Sequence, residues 1–278
     1  QAMLASTLEG VRPSQWQQVG KAQEKDGVVT AMLSFETAAG RGQGVLRLKN
    51  GLCWTLLTVL EEIKGFEEKS GRRRIQGVEH GATQQRQTWL EEREAQARSL
   101  GYSEQPYCLI VGGGQGGIAL AARLRRLGVS ALVVEKHPRA GDTWRKRYKA
   151  LCLHDPVWYD HMPYLPFPDD WPVFCPKDKV GDWLEMYVKV MELNYWSSTV
   201  AEKCRWDEAS GRWEVRVVRE GRPVTLRPRQ LVFALGVSGY ANVPQIPGAE
   251  SFEGTQHHSS RHPGGAAWAG RKAVVLGS

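Results

Sequence analysis

No stretch of this chain approaches the ~20 consecutive apolar residues that a membrane-crossing helix needs. Its opening residues also lack the basic segment followed by an apolar core that marks a secretion signal. Five cysteines (Cys53, Cys108, Cys152, Cys175 and Cys204) are scattered through 278 residues, an odd number with no C-x-x-C spacing. That fits reduced, buried structural thiols in a cytoplasmic protein better than a disulfide framework. There is no internal repeat and no low-complexity tract. Eleven tryptophans are present, but none is interleaved with basic residues in the manner of a nucleic-acid-stacking surface. Most are expected in the core or in pocket walls. The net charge of +7 comes from dispersed Lys and Arg, apart from Arg72-Arg73-Arg74 and Arg145-Lys146-Arg147. Such dispersion predicts a solvated surface first and a phosphate-bearing small ligand second.

With 41% hydrophobic residues the chain can bury a substantial core, and its length suggests two domains. Residues 28–36 and 44–59 are rich in Val, Leu, Phe, Thr and Trp, and Asn50-Gly51 is a hairpin-turn signal. They predict a small antiparallel sheet at one edge of an N-terminal module, residues 1–66. Residues 67–105 are polar, with glycines at 71, 77 and 81 and a helix around Trp89 to Leu100.

From Tyr107 the pattern changes. A short apolar strand to Val111 runs directly into Gly112-Gly113-Gly114-Gln115-Gly116-Gly117. A helix follows with Leu120, Leu124 and Leu127 on one face, Gly128 stops it, and Ala131 to Val134 is a second apolar strand ending in Glu135. In such a β-α-β unit the first glycine permits a tight turn, the second admits a pyrophosphate to the backbone, and the third lets helix and strand pack closely. Helix N–H groups face the phosphates, and an acid at the second strand's end accepts bonds from ribose hydroxyls while disfavouring a 2′-phosphate. The pattern suits FAD or NAD. Lys177 to Leu193 predicts an amphipathic helix, and 199–233 a meander returning the chain to the parallel sheet. His258 and His262 have a metal-like spacing but no third ligand motif, so no metal is expected.

Further motifs carry a resemblance. Glu135-Lys136-His137-Pro138-Arg139-Ala140-Gly141-Asp142-Thr143-Trp144 resembles the acid-then-G-x-x-W pattern of flavin-containing monooxygenases. Leu231 to Gly236, containing Ala234, resembles the strand and A-T-G turn by which that family's chain passes between its two nucleotide-binding domains. Phe252-x-Gly254-x-x-x-His258 resembles its fingerprint, with His262 where an aromatic residue is usual. Ala273 to Ser278, with Gly277, looks like a strand entering a second dinucleotide loop. The N-terminal sheet is similar to the nuclear-transport-factor-like module of some members.

The resemblance implies an α/β Rossmann-like flavoprotein with two dinucleotide-binding domains, one of them only begun. The FAD domain would span 106–265 and the NADPH domain would start at 266–278, in a chain whose ends, Gln1 and Ser278, read as cut. It implies an NADPH- and FAD-dependent monooxygenase inserting one atom of dioxygen into a small organic substrate by N- or S-oxygenation through a flavin hydroperoxide, with Baeyer–Villiger oxygenation as the alternative. Cofactor contacts would come from Gly112 to Gly117, Glu135, Lys136, Asp142, Trp144, Ala234, Gly236 and Gly277. His154 and Asp155, in a polar and aromatic segment past the G-x-x-W motif, are candidates for the flavin site. A flavin-dependent disulfide reductase lacks its cysteine pair here, and a non-catalytic flavin-binding protein is the remaining alternative. Neither nucleic acid nor metal is implied, and a homo-oligomer is compatible.

Overall fold

A computed structural model describes residues 9–78, 81, 86–237 and 241–277. Parts of four expected features lie outside the described residues: residues 1–8 of the N-terminal module, 79–80 and 82–85 of the connector, 238–240 of the FAD domain, and Ser278 of the second loop. The chain divides into two compact units after Ile75, within the polar connector.

The first unit is a four-stranded antiparallel meander, β1 (Ser14–Lys25), β2 (Val28–Glu36), β3 (Gly40–Lys49) and β4 (Leu52–Ile63), paired in sequence order. Asn50 and Gly51 both have positive φ, 53° and 73°, as a two-residue type I′ turn requires. Asp26 and Gly27 repeat that turn between β1 and β2 at 53° and 73°, a hairpin the composition of β1 concealed. Glycines at 42 and 44 leave room for groups of the neighbouring strands: a Cβ on Gly42 would lie 2.4 Å from the Phe35 ring, and one on Gly44 2.8 Å from the Leu57 carbonyl oxygen. Phe35, packed at a tilt against Trp16 with ring centroids 4.7 Å apart, is the one large apolar side chain of these strands that is buried.

The second unit is built on a parallel sheet ordered β11-β5-β6-β7: β5 (Cys108–Val111), β6 (Ala131–Val134), β7 (Tyr195–Trp196) and β11 (Gln230–Phe233). β5 and β6 are buried at every residue, which is why they read as continuous apolar runs. One face is covered by α2 (Gln115–Arg126) and α4 (Lys177–Val190). The other is covered by a separate antiparallel sheet of β8 (Thr199–Asp207), β9 (Arg212–Arg219) and β10 (Arg222–Leu226). The polar connector ends in α1 (Trp89–Ser99), started by a capping box between Thr88 and Glu91. α1 is tied to the segment after α4: Trp89 Nε1 donates to Glu192 Oε1 at 2.5 Å and Arg93 to the Glu192 carbonyl at 2.6 Å.

The structure refines two expectations and corrects two. On α2 the fully buried residues are Gly117, Ile118, Ala121 and Ala122, with Leu120 and Leu124 only partly buried, because small residues let the helix approach the sheet. Among the tryptophans only Trp196 is fully buried, and Trp16, Trp54, Trp158 and Trp206 are exposed. An indole's polar N–H and large area make full burial uncommon. Cys108 and Cys175 are buried, with burial pushing both thiols up, whereas Cys53 and Cys152 are exposed. Residues 271–277 form no strand, and Val274 and Val275 are 88% and 87% exposed. A strand needs a hydrogen-bonded neighbour, and none of the described strands lies beside this segment.

Among the described residues no helix is long and apolar enough to cross a membrane.

Candidate functional site

The site is assembled where β5 hands over to α2. Gly112 has φ +110°, a conformation only glycine adopts readily, and a Cβ there would lie 2.3 Å from the Ala234 carbonyl oxygen. Gly117 is required for a different reason: its Cβ would lie 2.0 Å from the Gly112 carbonyl oxygen and 3.4 Å from the Ala234 methyl. Strand, loop, helix and the β11 exit therefore converge within van der Waals contact. Gly114 and Gly116 are unlike these two, since a side chain at either position would meet no protein atom within 4 Å. The space over the first turn of α2 is open to a ligand, and α2 directs its free N–H groups and positive dipole end toward it.

Glu135 lies at the end of β6 and is 6% exposed. Its carboxylate accepts from Gly113 N at 2.8 Å and from His137 N at 2.9 Å, so the acid and the glycine loop are locked to each other. Each oxygen keeps a second lone pair for a further donor. Lys136 is exposed beside it, and Lys146 Nζ contacts His137 Nδ1 at 2.8 Å.

The segment Ala140 to Trp144 is held by packing that its sequence does not announce. Gly141 is in the left-handed region, φ +83°, and caps a single turn of helix, α3 (Asp142–Arg145). Asp142 is buried and pairs with Arg145 at 3.0 Å and Arg139 at 3.3 Å. Burial opposes its ionisation, but the Arg145 hydrogen bond and the surrounding positive charges outweigh this and hold its carboxyl below the usual range. Arg145 also binds Asp182 and Glu185 of α4, both at 2.8 Å. The buried Lys177 donates to the Arg145 carbonyl at 2.7 Å, tying down the end of the turn. Trp144 is thereby aimed back at the glycine loop, and its Nε1 donates to Gln115 Oε1 at 3.1 Å.

Gly112 to Gly117, Glu135, Trp144 and Ala234 thus form one connected site. Asp142 supports it from below through Arg145. His154 and Asp155 pair with each other at 3.6 Å on the surface, 95% and 60% exposed. Gly236 and Gly277, at φ +73° and +138°, are exposed. His258 and His262 flank a short 3-10 turn, and His258 Nδ1 is engaged with Ser260.

A cleft of about 510 Å³ flanks the segment that follows Glu135, lined by Trp89, Arg93, Arg139, Val188 and Tyr195 among others, and by none of the glycines at 112–117. Tyr195, Arg145, Gly181 and Lys177 are not identifiable as site residues from the sequence pattern. Gly181 carried the one usable signal, a lone glycine inside a helix, which costs about 1 kcal/mol relative to alanine and so implies close packing.

Residues 110–164 match an NAD(P)-binding Rossmann-like domain, and residues 140–278, half of the chain, match the flavin-binding monooxygenase-like family. The chain belongs to that family. Among curated relatives, it is 34% identical over 197 residues to the indole-3-pyruvate monooxygenase YUCCA1 of Oryza sativa subsp. japonica, covering 70% of this chain and 44% of that protein. It is 34% identical over 171 residues to the probable indole-3-pyruvate monooxygenase YUCCA9 of Arabidopsis thaliana, covering 61% of this chain and 41% of the relative. The chain therefore spans less than half the length of these relatives. Among solved structures, a flavin-containing monooxygenase from Stenotrophomonas maltophilia superposes with a TM-score of 0.53 at 24% identity, over 59% of this chain and 48% of that one. This last likeness concerns the fold alone.

Proposed function

We propose that the second unit binds FAD and that the protein is an NADPH-dependent monooxygenase placing one atom of dioxygen on a small organic substrate. The observation that carries this reading is the Gly113–Glu135 lock beneath an open space at Gly114. The residues fit the group. Backbone N–H groups at the start of α2 would hold the pyrophosphate, and Glu135 would accept from the adenosine ribose. The same acid disfavours a 2′-phosphate, so this loop suits FAD rather than NADPH.

Bound FAD would supply the redox chemistry with NADPH and dioxygen. The protein's own contribution is positional. Gly112 turns the chain, Gly114 leaves room, Glu135 orients the ribose, and the Arg145-braced turn presents Trp144 beside Gln115. Lys136, Gly236 and Gly277 stay candidates for outer cofactor contacts.

N- or S-oxygenation is the first reading of the substrate chemistry. Oxygenation at a carbonyl is the second, supported by 34% identity to relatives named for a 2-oxo acid, indole-3-pyruvate. The N-terminal sheet is taken as part of a nuclear-transport-factor-like module. Its exposed Val19, Met32, Leu57 and Val59 support a larger assembly of that unit.

The test is to purify the protein, look for flavin absorbance, and follow NADPH oxidation and product formation with amine, thioether, ketone and 2-oxo acid panels. Colourless protein that takes up no added FAD would end the reading. Oxygenated product from one panel would choose between the two substrate classes.

A further inference from the structure

We propose that Tyr195 is a cofactor-positioning residue: its ring fills the side-chain space of Gly113 and holds the phosphate loop in its binding shape. The proposal rests on the FAD reading above.

In the G-x-G-x-x-G pattern the second position faces neither the turn nor the ligand, so the pattern leaves its identity free. Here it is glycine, and its backbone does not demand one, because Gly113 is absent from the residues with positive φ. The demand comes from Tyr195. A Cβ on Gly113 would lie 2.2 Å from Tyr195 Oη and 2.6 Å from two of its ring carbons. Separations this short do not occur between unbonded atoms, so ring and methyl exclude each other.

The strand register explains how the ring reaches the loop. Tyr195 pairs with Val133 on the neighbouring strand, and side chains alternate along a strand, so Tyr195, Val133 and Glu135 share one face of the sheet. From there the Tyr195 hydroxyl stands 3.4 Å from the Gly113 carbonyl oxygen, to which it donates. On the other side of the same residue, the Gly113 N–H donates to Glu135 at 2.8 Å. Gly113 is therefore held at both its polar groups, once by the proposed ribose acid and once by an edge-strand tyrosine. Burial pushes the Tyr195 hydroxyl strongly up, with the negative charges of Glu135 and Asp142 adding to it, so it stays a neutral donor. With the loop fixed in this way, the N–H groups at the start of α2 need little reorganisation to meet a pyrophosphate.

Five proteins decide the matter: wild type, Gly113→Ala, Tyr195→Val, the Gly113→Ala/Tyr195→Val double variant, and Tyr195→Phe. For each, FAD affinity is measured by flavin fluorescence quenching, and the melting temperature is measured without FAD. Gly113→Ala and Tyr195→Val are each expected to weaken FAD binding. In the double variant the alanine methyl enters the space the ring has left, so FAD binds about tenfold or more tighter than in Gly113→Ala alone. Tyr195→Phe keeps the ring and loses only a long hydrogen bond, so it stays within about threefold of wild type. A merely structural tyrosine would lower melting temperature without this coupling in FAD affinity. Gly113→Ala binding FAD as wild type does, or a double variant no better than Gly113→Ala, overturns the proposal while the FAD reading stands. Wild-type protein that binds no FAD overturns both.

Discussion

Gly141 and Gly181 meet backbone to backbone: a Cβ on Gly141 would lie 2.1 Å from the Gly181 carbonyl oxygen. A Cβ on Gly181 would meet Arg145 Cγ at 2.8 Å. This contact seats the turn carrying Asp142 and Trp144 on α4. Gly141→Ala combines a left-handed φ with a backbone collision and is expected to destabilise the second unit by about 3 kcal/mol or more. Gly181→Ala meets chiefly the Arg145 side chain, with the Gly141 carbonyl oxygen farther off at 3.2 Å, and is expected to cost about 1–2 kcal/mol. Urea unfolding of both variants checks the order, and equal losses would mean that the close approach is not what the glycines serve.

Gly114→Val separates binding from folding. A side chain there meets no protein atom, so the melting temperature of the protein without FAD should stay within about 2 °C of wild type, the scale of a surface substitution. FAD binding should be abolished, because the branched side chain occupies the space in front of the helix N-terminus. Retained flavin would show that the pyrophosphate lies elsewhere.

Glu135→Gln keeps the shape of the side chain but removes its charge and one of its two acceptors. The carboxylate accepts from both Gly113 and His137, so one of these donors loses its partner. A charged hydrogen bond contributes about 1.5–3 kcal/mol, which predicts FAD affinity weakened by roughly 10- to 100-fold. Isothermal titration with FAD measures it, and unchanged affinity would remove Glu135 from the ribose site.

Asp142 gives the second unit an acid limb. Its carboxyl titrates below the ordinary carboxylate value in the folded protein, despite the opposing effect of burial. Its stabilising contribution is therefore complete above about pH 4, the unfolded value, and is lost as pH falls through the lower folded value. Asp142→Asn should cost about 1–3 kcal/mol at neutral pH and flatten the loss of stability on acidification. A variant whose stability falls with acid as steeply as wild type would assign that limb to other carboxylates.

Leu184 tests the core under the site. It is 1% exposed on α4 and packs in the cluster that includes Ile110, Ile118 and Val133. Leu184→Ala should cost about 2–5 kcal/mol. A loss under 1 kcal/mol, read from chemical unfolding, would show that α4 is not docked as described.

The β-α-β unit was legible because each of its signals is local. The four-residue strands 108–111 and 131–134 are apolar throughout, the glycines adjoin them, and Glu135 follows the second strand at once. The same held for the Asn50-Gly51 turn, whose two positive φ values are a property of that dipeptide. Strand β1 was missed because SQWQQVGKAQEK is polar and exposed along its length, and it is a strand only because β2 pairs with it. At 271–277 the opposite happened: the apolar run has strand propensity, and no described strand pairs with it.

The glycine loop, its helix and its acid follow from the order of residues alone, because turn chemistry and strand alternation act between near neighbours. The tertiary structure decided why Gly113 is a glycine, what braces Asp142, and what Trp144 touches. Those answers come from Tyr195, 82 residues from Gly113, from Asp182, 37 residues from the Arg145 that pairs with Asp142, and from Gln115, 29 residues from Trp144. Only packing of the sheet edge and α4 against the loop brings such distant side chains within bonding reach, and short-range pattern carries no record of it.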